Sequence, residues 1–172
     1  AGLSLGLGSI AKQAQVELAP HVPLLVPKLY RYQFEPTPKV QQAMRGMWEA
    51  LIPDTKATLS TYFEPIVTEL LSSMGDRQWR IRESSSAALA ELLSGRSPSQ
   101  VRPFLEDMWR MVLRAMDDIK ESVRVMAQRA GRTIASLSAK MCDQAHASPS
   151  DGPAVCAIVL PYLLKQGLHA DA

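Results

Sequence analysis

Asparagine is absent from the 172-residue sequence, and aromatic residues and cysteines are scarce. Without asparagine the chain has no acceptor for N-linked glycosylation. Aromatic residues make up 6% of the chain and β-branched runs are nearly missing, whereas Leu, Ala, Met and Ser are frequent, which favours helices over strands. We therefore expect an all-α fold without a sheet.

The only two cysteines are Cys142 and Cys156. Two thiols in a chain of this size fit a reducing compartment better than a disulfide framework. With Asp143 and His146 they match no zinc-ligand spacing, and the segment between them is rich in Ser, Pro and Gly. We expect a free thiol at Cys142, a packed Cys156, and neither a metal site nor a cofactor.

Charge is nearly balanced, with 19 basic and 17 acidic residues and a net charge of +2. This balance gives no sequence-independent attraction to polyanions, so nucleic acid is not an expected partner. Charged residues interrupt every apolar run before it could span a bilayer, which argues against direct membrane insertion. The apolar start lacks a basic leader, so no signal peptide is predicted, and the missing Met suggests a fragment.

A repeat organises the sequence. An acidic residue is followed five positions later by an aliphatic one three times, and the copies are 41 and 42 residues apart. The three pairs are Glu35 and Val40, Asp76 and Ile81, and Asp118 and Val123. Such a fixed period indicates a repeat architecture.

Apolar residues recur at the same offsets after each acidic turn, in steps of three and four that place them on one helix face. These sets are Val40, Met44, Met47, Trp48 and Leu51; Ile81, Ser85, Ala88, Leu89 and Leu92; and Val123, Ala127, Ala130, Gly131 and Ile134. A second series precedes each turn. Two-helix units of about 40 residues match the HEAT class, whose units bury their apolar faces by stacking.

The frame divides the chain as follows. Residues 1–13 are predicted to be the second helix of a preceding repeat, and three repeats follow at 16–52, 57–94 and 99–142. A linker at 143–153 leads to the first helix of another repeat at 154–167. Turn-forming Pro, Gly, Ser and Asp lie between the units. The predicted fold is an all-α HEAT-repeat α-solenoid, an armadillo-like superhelix of antiparallel helical hairpins.

The repeat pattern accounts for the residues of each possible catalytic motif. Residues 6–11 (GLGSIA) fit a nucleotide-binding fingerprint but lack the preceding strand that it requires. Ser84, Ser85 and Ser86 lack a G-x-S-x-G turn, and Ser85 occupies a core offset where small residues allow helices to approach. We predict that the chain is not an enzyme.

Basic residues occupy the first turn of the second helices, where the helix dipole favours acids. A compensating interaction is therefore expected. We predict that Arg82 and Arg124 pair with the turn acids Asp76 and Asp118 in a structural ladder along the solenoid, which Gln41 interrupts in the first complete repeat.

The three tryptophans divide by position. Trp48 and Trp109 occupy core offsets, whereas Trp79 precedes the second helix in a turn. Aromatic and Arg side chains are enriched at the centres of interfaces. Trp79, with its neighbour Arg80, is the candidate partner contact.

Four segments are more specific than a general HEAT pattern: residues 18–34 (LAPHVPLLVPKLYRYQF), 82–89 (RESSSAAL), 117–124 (DDIKESVR) and 140–143 (KMCD). Together they resemble the proteasome adaptor and scaffold family of very large HEAT-repeat proteins. The resemblance implies a scaffold that binds the proteasome core and regulatory particles in the cytoplasm and nucleus and links them to the endoplasmic reticulum and endosomes. It transfers no site residue to this chain.

A different HEAT scaffold is the alternative. A nuclear transport receptor or a phosphatase scaffold should carry acidic inner helices or Trp-Asn arrays, and the absence of Asn argues against the latter. Distributed contacts along a curved surface, including those with the rest of its own solenoid, are expected in either case.

Overall fold

The computed structural model describes residues 21–143 and 151–169, and their regular structure is entirely helical. The α-helices are α1 (Val22–Tyr32), α2 (Pro38–Leu51), α3 (Thr55–Thr61), α4 (Phe63–Ser73), α5 (Trp79–Leu93), α6 (Pro98–Val101), α7 (Leu105–Met116), α8 (Glu121–Cys142) and α9 (Asp151–His169), with a 3-10 turn at Arg102–Phe104. The all-α prediction is confirmed for these residues. The helix predicted at 1–13 and most of the linker at 143–153 lie outside them.

Helix starts follow local sequence chemistry. Proline opens α2 and α6, where its fixed φ suits a helix and its missing N–H costs nothing. The Asp54 side chain accepts a hydrogen bond of 2.9 Å from the Ala57 N–H and so caps α3. These residues set where α2, α3 and α6 begin.

Proline also interrupts the helical segments that precede the second and third acidic turns, whereas α1, which precedes the first, continues through Pro27. Its ring clashes with the carbonyl four residues earlier and removes one hydrogen bond. For Pro65 that carbonyl belongs to Thr61, where α3 ends. Pro103 lies within the 3-10 turn between α6 and α7. Each interruption lets the chain bend before the longer helix that follows.

The core lies among α4, α5, α7 and α8, and the predicted apolar faces of α5 and α8 are largely buried. Ser85 and Ala88 of α5 and Ala127 and Ala130 of α8 are fully buried. These two helices pack along each other, and their small side chains allow close approach. The core offsets predicted for Trp48 and Trp109 are also confirmed, at 3% and 7% exposure.

The apolar faces of α2 and α9, which were predicted to be buried, are partly exposed. Val40 and Met47 of α2 are 41% and 44% exposed, and Trp48 is the one buried side chain in that helix. In α9, Leu160 is half exposed and Cys156 is exposed rather than packed. These helices have neighbours on one side only among the described residues, so part of each apolar face stays uncovered.

In the described part of the chain, no helix is long and apolar enough to cross a bilayer.

Candidate functional site

A bidentate ion pair joins two successive acidic turns. Arg82, in the first turn of α5, donates from Nε to Asp118 Oδ2 at 2.6 Å and from Nη2 to Asp118 Oδ1 at 2.9 Å. The two side chains are 14% and 8% exposed. This planar, double hydrogen bond fixes the orientation of both groups as a single one would not.

Arg82 also holds its own turn together. Its Nη1 donates to the backbone carbonyls of Asp76 and Arg77, each at 2.9 Å. The Asp76 carboxylate accepts from the Gln78 N–H at 2.8 Å instead of meeting the guanidinium. Short acidic side chains favour this contact with the backbone two residues on. Arg82 therefore reaches the carboxylate of the next turn, Asp118, rather than that of Asp76.

Arg124 has the same relation to its own turn. Its Nη1 donates to the carbonyls of Asp118 at 2.8 Å and Ile119 at 3.3 Å. No carboxylate within the described ranges forms an ion pair with it. The structure thus places one complete inter-turn bridge between Arg82 and Asp118, with Arg124 holding the backbone of the second turn.

The bridge shifts the ionisation of both partners. Hydrogen bonding to Arg82 is the main cause that lowers the pKa of Asp118, and the Lys120 N–H and the charges of Arg82 and Arg124 add to it. Hydrogen bonding to Asp118 raises the pKa of Arg82. Both groups consequently remain charged throughout the neutral range.

Trp79 lies near this bridge, and two cationic side chains contact its ring. It is the first residue of α5 and is half-buried. The Arg80 guanidinium carbon and the Lys120 Nζ each lie 4.7 Å from the centroid of its ring. Neither cation has an ion-pair partner in the described part of the chain. The ring and its two cations, which come from successive turns, form the cationic Trp79 cluster.

A groove of about 590 Å³ runs along the same edge of the molecule. Asp76, Arg82 and Asp118 line it together with Arg114, and Ile119 at its rim is 95% exposed. The groove therefore combines charged walls with one prominent apolar side chain.

The three consecutive serines are structural. All are fully buried, and their hydroxyls donate to helix carbonyls: Ser84 and Ser85 to Ile81 at 3.1 and 2.6 Å, and Ser86 to Arg82 at 2.8 Å. Ser84 also accepts from Nη1 of Arg31 at 3.3 Å. The hydroxyls are engaged with the backbone and are not aligned with a base.

Arg31 was missed by sequence reasoning. It is 4% exposed, and its guanidinium lies 4.4 Å from the Tyr32 ring. Its Nε has no hydrogen-bond partner among the described residues. Nothing in the sequence distinguishes it from the exposed arginines, because its burial depends on α1 lying against α5.

Two further polar contacts join α5 to α8. Ser122 donates to Glu83, and Arg129 forms an exposed ion pair of 3.2 Å with Glu91. Within the described ranges, no group of three or more His, Cys, Asp and Glu residues is arranged to hold a metal ion. His146, which the sequence placed near the two thiols, lies outside them.

Comparison with known proteins gives matches that cover most of this chain, and the matched proteins are all named for the proteasome. No family model and no solved structure matches the chain. It is 41% identical over 167 residues to the proteasome adapter and scaffold protein ECM29 of Homo sapiens, which covers 97% of this chain and 9% of that protein. It is 34% identical over 178 residues to the proteasome component ECM29 of Saccharomyces cerevisiae, covering 99% of this chain and 10% of that protein.

The ECM29 homologue of Drosophila melanogaster, described as proteasome-associated, is 31% identical over 190 residues. The chain spans about a tenth of the length of the curated relatives that it matches. It is therefore homologous, over nearly its whole length, to a stretch of the ECM29 proteasome adapter and scaffold family.

Proposed function

We propose that the chain is a non-enzymatic scaffold segment that binds the proteasome and helps to tether its core and regulatory particles. The observation that carries this proposal is the 31–41% identity, over at least 97% of the chain, to three proteins named for the proteasome. Its place of action would be the cytoplasm and nucleus, with links to the endoplasmic reticulum and endosomes.

The scaffold would be a HEAT-repeat α-solenoid. The helices support this proposal because α1 packs against α2, α4 against α5, and α7 against α8, while α5 and α8 pack across successive pairs. Repeats at 16–52, 57–94 and 99–142 each contain one such pair. The Arg82–Asp118 bridge would then fix the angle between the second and third repeats.

The cationic Trp79 cluster is our candidate for the partner contact. Trp79 and Arg80 stand at the edge formed by the turns, and the exposed Ile119 adjoins Lys120 in the next turn. A half-buried aromatic ring flanked by cations without ion-pair partners suits an acidic segment that also carries an apolar side chain.

A binding assay with purified particles tests the proposal. Tagged chain is immobilised, and core and regulatory particles are passed over it separately at two salt concentrations. We expect saturable binding of at least one particle, with weaker binding at higher salt because exposed charges contribute. No binding of either particle by a chain shown to be helical by circular dichroism would contradict the proposal.

Variants separate the cluster from the remaining surface. Trp79→Ala combined with Arg80→Glu should weaken binding at least about tenfold if the cluster is the contact. Arg132→Glu is the matched control, because Arg132 is exposed on α8 and makes no ion pair among the described residues. Equal binding by both variants would place the contact on another surface and leave the scaffold function intact.

A further inference from the structure

The two cysteines lie on helices that meet. Cys142 is the last residue of α8, and Cys156 lies in the second turn of α9. Gly152 in the first turn of α9 is so near that a methyl group added to it would lie 3.9 Å from the Cα atom of Cys142. The start of α9 therefore packs directly against the end of α8.

Helix geometry directs the Cys156 side chain toward Cys142. Gly152 and Cys156 are four positions apart, so they share one face of α9. Side chains on a helix tilt toward its N-terminus, which directs the Cys156 thiol back toward Gly152 and hence toward Cys142. The Cys142 and Cys156 side chains are near enough for Cys156 to affect the ionisation of Cys142. Both cysteines are reduced and exposed, so small reagents reach them.

We propose that Cys142 and Cys156 form an oxidisable dithiol, and that their disulfide fastens the first turn of α9 to the end of α8. The link matters because α9 is otherwise attached by few contacts: of its described side chains only that of Val155 is buried. Oxidation thus changes how firmly α9 is attached to the helices before it.

A small disulfide such as glutathione disulfide supplies the oxidising equivalents. The Cys156 thiolate attacks one sulfur of that disulfide, its S–S bond breaks, and the first glutathione leaves as a thiolate that takes up a proton. The Cys142 thiolate then attacks the Cys156 sulfur of the mixed disulfide and releases the second glutathione. The protein loses two electrons and two protons, and one glutathione disulfide becomes two glutathione molecules.

The order of attack follows from the environment of Cys142. Although Cys142 is exposed, neighbouring protein atoms displace some of the water around its thiol, and this desolvation, followed by the nearby Cys156 thiol, raises the pKa of the Cys142 thiol. Because the thiolate is the attacking form, Cys142 acts second, when the mixed disulfide already stands beside it. Cys142→Ser should therefore form its single glutathione adduct faster than Cys156→Ser does.

Equilibration with glutathione tests the dithiol. The purified chain is incubated over a series of reduced-to-oxidised glutathione ratios, the remaining thiols are alkylated, and the products are weighed by mass spectrometry. We expect a monomer lighter by two hydrogens, with an effective thiol concentration at least about tenfold higher in buffer than in guanidinium. The proposal would be overturned by glutathione adducts on both cysteines, or by an effective thiol concentration that is the same with and without guanidinium.

A displaced cysteine is the matched control. The double variant Cys156→Ser with Ala157→Cys moves the thiol by one residue, to an exposed position about 100° around the helix. The length of the loop between the cysteines hardly changes, so its closure entropy is nearly equal. The effective concentration should fall at least about tenfold in the displaced variant. An unchanged value would show that general flexibility, rather than the packing of α9 on α8, brings the thiols together.

Discussion

The Arg82–Asp118 bridge combines ion pairing with capping of the turn before α5. Its guanidinium satisfies one carboxylate in the next turn and two carbonyls in its own. With side-chain exposures of 14% and 8%, the pair is far less screened by solvent than a surface ion pair. Removing one partner leaves the other desolvated without compensation, which is more costly than losing an exposed contact.

Truncation of Arg82 should therefore destabilise the chain. We expect Arg82→Ala to lower the free energy of unfolding by about 2 kcal/mol, measured by urea denaturation followed by circular dichroism. Arg80→Ala is the control, since Arg80 is exposed and should change stability by less than about 0.5 kcal/mol. Equal denaturation midpoints for Arg82→Ala and the unchanged chain would refute a structural ladder.

The same bridge should make stability depend on pH in the acid range. Hydrogen bonding to Arg82 holds the pKa of Asp118 below its ordinary value of 3.8. A lowered folded-state pKa adds stability that is complete above the unfolded value and is lost as the pH falls through the folded one. The stability difference between the unchanged chain and Asp118→Asn should be constant from about pH 5 to 7 and shrink below about pH 4.

Urea denaturation midpoints of both proteins at several pH values measure this difference. A difference that stays constant down to about pH 2 would mean that Asp118 has the same pKa in the folded and unfolded chain. The bridge would then contribute no ionisation-linked stability.

Substitutions at two helical glycines should change the stability of the chain in opposite directions. Gly46 of α2 has open space around it, so Gly46→Ala should raise the free energy of unfolding by about 0.5–1 kcal/mol through helix propensity. Gly131 of α8 faces Met116 in close contact and Val112 at 3.4 Å from an added Cβ atom. Gly131→Leu should lower the free energy of unfolding by about 1–3 kcal/mol through overpacking.

Urea denaturation compares both glycine variants with the unchanged chain. A Gly131→Leu variant as stable as the Gly46→Ala variant would show that α7 and α8 can separate without cost. The packing of α8 on α7 would then be looser than the structure indicates.

Sequence periodicity predicted the helices well, but it predicted less well which of their apolar faces other helices cover. It identified the buried faces of α5 and α8, because steps of three and four report which residues share a face. It assigned Val40 and Met47 to the core, yet both are more than 40% exposed. A pattern gives the direction of a face but does not tell whether another element covers it.

The candidate site shows the same limit. The repeat frame located Asp76, Arg82 and Asp118, since each stands at a fixed offset from a turn. It predicted that Arg82 and Arg124 pair with the turn acids Asp76 and Asp118, but it did not specify which acid each arginine meets. In the structure the Arg82 guanidinium reaches the Asp118 carboxylate of the next turn. That choice depends on the distance between stacked helix pairs, and the burial of Arg31 depends equally on packing. Neither quantity is encoded in the local sequence.

Burial is unevenly distributed along the chain. Ile66, Val67 and Leu70 of α4, Leu89 of α5 and Met108 of α7 are fully shielded from solvent. By contrast, α2 buries only Trp48, and α3 buries no side chain. Local opening is governed by the apolar area that an element buries, so the resistance to unfolding should differ from helix to helix.

Hydrogen exchange followed by mass spectrometry should show this gradient. We expect the amides of α2 to exchange at least about tenfold faster than those in the middle of α5 and α8, because few apolar contacts oppose the opening of α2. Its C-terminal end should be the slower half, since Trp48 is buried and its indole N–H donates to Thr55 at 3.0 Å. Uniform protection from α1 to α8 would contradict this expectation and show that the helices unfold as one cooperative unit, with stability shared evenly along the chain.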